Sequence, residues 1–233
     1  MRMKKIVCLL LFGMSYRILM SFSGVDGVDA GFCNTFYQVF FLHPDSNIFN
    51  FIYYLLGLLG ALWEEYFGVY GLLGFRVLEA FTMTCAVFML CLTFKDDMSR
   101  RQIAMAVILS MVFPMIFVTF HYNTLSFLLI SIATFCFKRT LGSNRSLWLL
   151  LSGMAIGISL FVRLVNGTLL VLLVLPLGYY CHKGGRSLAV RKTSEMILGV
   201  FCGFIIIIGI MLSLGQITYY FDALGEALST FQG

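Results

Sequence analysis

Apolar runs of membrane-crossing character recur from one end of this chain to the other, at about 6–22, 71–94, 102–120, 124–137, 147–165, 167–181 and 196–215. A bilayer interior is ~30 Å thick and takes about 20 apolar helical residues to cross. Unpaired backbone groups are not tolerated there, so such runs cross as helices whose N–H and C=O groups satisfy one another. The chain is 60% hydrophobic and only 12% charged, with a mean hydropathy of +0.94. An average domain is about 25% charged, so a soluble domain is excluded. The expected fold is all-α: a multi-pass transmembrane helical bundle of about seven spans, forming a single integral membrane domain over residues 1–233. The fourth and sixth runs are short for a crossing and suit helices that start at an interface or tilt little.

Charge sets the expected orientation. Lys and Arg concentrate in cytoplasmic loops. With the N-terminus inside, all 16 basic residues except Arg17, Arg76 and Arg163 fall on the cytoplasmic side. Seven crossings then leave the C-terminus outside. All acidic residues but Asp96, Asp97 and Glu195 fall on or near the outer face. The net charge of +5 reports this topology and not nucleic-acid affinity.

Residues 48–66 are apolar enough to cross, but counting them would turn every later basic loop outward. They are expected as an interfacial helix in the first outer loop, 23–70, ending at Trp63-Glu64-Glu65-Tyr66 in the aromatic belt. The basic, apolar N-terminus has the form of a signal peptide. Arg17 interrupts it and no A-x-A-like site follows, which favours an uncleaved first span. Pro114 is expected to kink the third span. The seven cysteines show neither CxxC nor Cys/His metal spacing and read as small hydrophobes.

Several polar residues have two readings. Asp26 and Asp29 follow the first span, just outside the bilayer. Either carboxylate can serve as a general base for an acceptor hydroxyl or amine, or ligate a divalent metal. Asp29 is also a favoured helix N-cap, which spacing alone prefers. Behind it, Phe32, Phe36 and Phe40 recur with Cys33 and Tyr37 beside them, as in a helix lying apolar face down in the interface. Arg76 has Glu79 at i+3, the spacing of a structural ion pair. Arg163 lies near the outer end of the fifth span, either snorkelling to headgroups or holding phosphate oxygens, which a guanidinium matches well. His121, Tyr122 and Asn123 form the tight turn between the third and fourth spans, where they line an outer cavity or bond the turn backbone. Walker-type loops, HExxH and GxSxG are absent.

The order of these features resembles the N-terminal half of the GT-C superfamily of membrane glycosyltransferases. That family includes the protein O-mannosyltransferases and the aminoarabinose transferases of lipid A; the likeness is nearest to Bacteroidetes-type members. The likeness rests on Asp29-Ala30-Gly31-Phe32 after the first span, then a Phe-Tyr-Gln run, and an apolar helix ending in Trp, Glu and Tyr-Phe-Gly. Gly71-Leu72-Leu73-Gly74-Phe75-Arg76, Tyr122-Asn123-Thr124-Leu125 and Phe161-Val162-Arg163-Leu164-Val165-Asn166 complete it. The resemblance implies a polyprenyl-phosphate sugar donor, transfer with inversion, and an unidentified glycan, lipid or protein acceptor. It implies Asp29 as the catalytic base or acceptor-positioning carboxylate with Asp26 second, and Arg76 and Arg163 as contacts to the donor. It implies a bacterial inner membrane and a chain that corresponds to part of a longer architecture. Two departures bear on metal binding: many members have Asp-Glu where this chain has Asp29-Ala30, and an Asp where it has Asn123. No cofactor is therefore expected.

Two other classes fit the composition: a transporter or flippase subunit, and a non-catalytic membrane scaffold. Transporters usually show internal repeats and polar sites near the bilayer midplane. Here no repeat is found, and the polar residues crowd the outer face.

Overall fold

The computed structural model of the protein describes residues 3–22, 29–112, 119–143 and 145–230, with backbone alone for 3–5, 29–30 and 230. Among the described residues the chain is helical and holds no strand. The helices are α1 (Met3–Met20), α2 (Asp29–Val39), α3 (Tyr54–Phe67), α4 (Gly71–Phe94), α5 (Arg100–Val112), α6 (Tyr122–Ser143), α7 (Ser146–Ser159), α8 (Val174–Ser213) and α9 (Ile217–Thr230). Tighter 3-10 segments cover Pro44–Tyr53, Gly68–Tyr70 and Leu164–Leu173.

Three helical stretches are long and apolar enough to cross a membrane: Pro44–Phe94, Tyr122–Ser143 and Leu164–Ser213. Ile6–Met20 and Ser146–Ser159 are shorter apolar helices. The apolar helices are compatible with a membrane-embedded protein. Two of the long stretches are interrupted. Gly71 (φ 50) separates α3 from α4. Gly185 (φ 84, ψ 174) breaks α8, a backbone state that glycine adopts without a Cβ clash.

Several expected boundaries move. The run at 124–137 extends to 22 residues as α6, about 33 Å of helix. The run at 147–165 stops as an α-helix at Ser159; the Ser159 carbonyl closes the end, accepting from the Val162 and Arg163 backbone N–H groups and from Asn166 Nδ2 at 2.8 Å. In the run at 102–120 the described helix reaches Val112, and the expected kink at Pro114 lies outside the described residues.

The long helices pack as a row. α1 and α5 lie against α4, α4 against α6, α6 against α7, and α7 against α8. The α7–α8 contact follows from sequence. Gly153 and Gly157 on α7, and Gly199 and Gly203 on α8, form two small-xxx-small pairs. A Cβ at any of the four would collide with a backbone carbonyl of the facing helix. Without a hydrophobic driving force in lipid, such close backbone approach is what holds helices together.

One end of this row is capped by an aromatic layer. α2 lies on α3 with Cys33, Phe36, Tyr37 and Phe40 buried. Its apolar face therefore turns into the protein core and not onto a lipid surface; only Phe32 of the expected stripe is exposed. Gly57 and Gly60 make the seat, since a Cβ there would meet the rings of Phe36 and Tyr37. α3 spans 14 residues, about 21 Å, and continues directly from the 3-10 segment Pro44–Tyr53. α9 folds back onto the Pro44–Tyr53 segment. Gln216 ties the layer: its Nε2 donates to the Phe40 carbonyl at 3.1 Å, and its Oε1 accepts from Tyr54 at 3.1 Å.

Candidate functional site

The polar residues of the helix termini at this aromatic end form two adjoining groups. The first is buried. Arg17, from the last turn of α1, donates through Nε to Glu79 Oε2 at 3.2 Å and through Nη2 to Glu79 Oε1 at 2.5 Å. Its Nη1 donates to the Met111 carbonyl of α5 at 3.2 Å. Both side chains are almost fully enclosed, so each charge depends on the other for solvation. Arg76 is also buried and donates through Nη1 to the Ser21 carbonyl just past α1.

This corrects the expected local pairing of Arg76 with Glu79. The carboxylate of Glu79 is taken across helices by Arg17, and Arg76 closes on the end of α1. The signal for Arg17 was present in the sequence: a lone arginine inside an apolar run is costly unless it faces a partner.

The second group surrounds the turn into α6. Phe120 N donates to the Phe75 carbonyl at 3.2 Å, which docks the turn on α4. Tyr37 Oη donates to the Phe120 carbonyl at 2.9 Å, from a phenol whose pKa burial, with Cys33 beside it, raises well above the usual value. His121 is buried, and its Nδ1 accepts from the Asn123 backbone N–H at 3.1 Å, which makes it a turn-fixing group. Asn123 is exposed, and its Oδ1 accepts from Arg163 Nη1 at 3.1 Å. The same guanidinium lies over the Tyr122 ring, 4.8 Å from its centroid. Tyr122 stacks on Tyr53 with centroids 5.2 Å apart. Below, Asn166 Nδ2 donates to Ser126 Oγ at 2.8 Å.

Arg163, Tyr122 and Asn123 are thus brought together from residues 40 apart in sequence, and His121 orders their turn. Arg163 does not extend freely to a lipid surface; an acceptor and an aromatic face hold it. Arg76 belongs to the first group. α2 begins at Asp29, but that side chain and all of Asp26 lie outside the described residues.

Beside the turn runs an apolar groove of about 300 Å³ between α3, α4 and α6, lined by Leu59, Trp63, Leu78, Phe120 and Leu125 among others. Phe120 and Leu125, which line this groove, immediately precede and follow His121–Thr124 in the chain. Among the described residues, no three His, Cys, Asp or Glu side chains gather closely enough to hold a metal ion.

The helix α9 was not expected, because hydropathy alone does not register it. Its signal was periodic: Tyr220, Ala223 and Ala227 recur at helical spacing and are buried, as is Gln216 just before its first turn.

Comparison with known proteins finds no family model that matches the chain, no matching curated protein and no matching solved structure.

Proposed function

We propose that the protein transfers a sugar from a polyprenyl-phosphate donor to an acceptor at the outer face of the bacterial inner membrane, as the GT-C resemblance implies. In this reading the bundle crosses seven times, the N-terminus is cytoplasmic, and the aromatic end faces out. The observation that supports the reading is that Arg163 gathers with Asn123 and Tyr122 at the turn into α6, a turn whose flanking residues Phe120 and Leu125 line an apolar groove. A lipid phosphate needs both: a cation for its oxygens and an apolar path for its chain.

The chemistry is as follows. Asp29 takes the proton of an acceptor hydroxyl. The hydroxyl oxygen bonds to the sugar C1 from the face opposite the phosphate, and the C1–O bond to the phosphate breaks. Polyprenyl phosphate leaves with the electron pair, and Arg163 offsets its charge, the electrostatic help that dominates many enzymes. Asp26 is the second carboxylate. Asn123 and Tyr122 position the guanidinium, and Arg76 holds the start of the first outer loop against α4. A transporter or flippase is less favoured, because the charged groups gather toward the two ends of the bundle and the sequence shows no internal repeat.

The test uses membranes supplied with labelled polyprenyl-phosphate sugar. Asp29→Asn is expected to lower transfer by about 10²- to 10⁴-fold, the usual worth of a general base. Undiminished transfer in that variant removes Asp29 from the mechanism. Arg163→Gln is expected to weaken cross-linking of a photoreactive polyprenyl phosphate to Trp63; unchanged cross-linking rejects the groove as the donor site.

A further inference from the structure

At the opposite end of the bundle, the C-termini of α4 and α6 and the N-terminus of α7 enclose a second cavity of about 690 Å³. Its walls carry Lys95, Lys138, Arg139 and Arg145 against a single acid, Asp96. Lys138 is already paired, with Asp97 at 2.7 Å. Lys95, Arg139 and Arg145 have no carboxylate partner among the described residues. Four cations against Asp96 and Asp97 leave two net positive charges. The positive charge is therefore that of the side chains, since the partial charge at the N-terminus of α7 is offset by those at the C-termini of α4 and α6. The cavity is not simply a solvated basic loop. Trp148 lines it, and Phe135 meets Trp148 edge-on at 6.1 Å while holding Arg139 over its ring at 5.1 Å.

We propose that this cavity binds the headgroup of an anionic phospholipid. The ligand chemistry it selects is a phosphate carried on an apolar body: the cations take the phosphate oxygens, and Trp148 and Phe135 take the glycerol and the first acyl carbons. The size lies within the range of small-ligand sites. Basic pockets between transmembrane helices are a recurring way of holding anionic lipid headgroups. A soluble phosphate compound shares the charge but makes no use of an aromatic wall at the ends of apolar helices. The inference needs only a membrane-embedded bundle and is independent of the sugar-transfer reading.

The chain has two tryptophans, and Trp63 lies at the aromatic end, so Trp63→Phe leaves Trp148 as the sole reporter. The full chain is placed in nanodiscs of phosphatidylcholine containing phosphatidylglycerol, one or the other brominated near the glycerol. Trp148 quenching is expected to show a roughly tenfold preference for the anionic lipid. Combined Arg139→Gln and Arg145→Gln should remove that preference, and Arg139→Lys with Arg145→Lys should keep most of it at an unchanged melting temperature. Equal quenching by both lipids overturns the proposal. So does displacement of the anionic lipid by millimolar inorganic phosphate, which would assign the site to a soluble anion.

Discussion

The two ends of the bundle treat charge in opposite ways. At the aromatic end, Arg17 and Glu79 are enclosed and bond to each other, with Arg17 also donating to the Met111 carbonyl and Glu79 also accepting from Thr124. At the basic end, the Lys138–Asp97 pair is close to half exposed, and three further cations line an open cavity. The same residue types therefore serve different purposes. A buried pair locks helices that are far apart in sequence, whereas a solvated set of cations remains able to meet a ligand. Each expectation below breaks or sharpens that contrast.

The largest effect is expected at Glu79. Glu79→Leu leaves the Arg17 guanidinium buried without its counter-charge and should cost about 3–5 kcal/mol in a reversible unfolding assay in bicelles. Adding Arg17→Met should recover most of the loss; a double variant as unstable as the single one means that the helices, and not the charge, are being probed. Next is Gln216→Leu, which strands the Phe40 carbonyl and the Tyr54 hydroxyl in the aromatic layer. It should cost about 1–3 kcal/mol and speed proteolysis of α9, an outcome followed by mass spectrometry. Smaller again is the coupling of Arg163 to Tyr122. A double-mutant cycle with Arg163→Met and Tyr122→Leu should return about 0.5–1 kcal/mol; zero coupling would detach Arg163 from its aromatic support. Smallest is Lys138→Met at the basic end, with a stability change of under about 1 kcal/mol.

The helical character of the chain and most of its apolar helices were legible in the sequence, because each rests on a run of side chains that a local window can register. The grouping of Arg163 with Asn123 and Tyr122 was half legible: all three stood out as polar groups at helix ends, but nothing in the sequence paired them. Arg17 was visible as an oddity and not as a partner. The aromatic stripe of α2 was legible as amphipathic, yet a protein core and a lipid interface attract the same residues. Only α3, seated through Gly57 and Gly60, shows that Phe36 and Tyr37 face inward.

What the sequence by itself determined is the kind of object this is: an apolar, helical chain whose charged groups lie mostly toward the ends of its apolar runs. Free energy of transfer acts residue by residue, so composition and periodicity carry it. Only the tertiary structure decided which charges meet. Glu79 lies three residues from Arg76 and 62 from Arg17, and it takes the distant one. The spacing along a helix offers a neighbour; the approach of α1 to α4 in a low-dielectric interior offers a bidentate partner from which water is excluded, and there the second interaction is stronger.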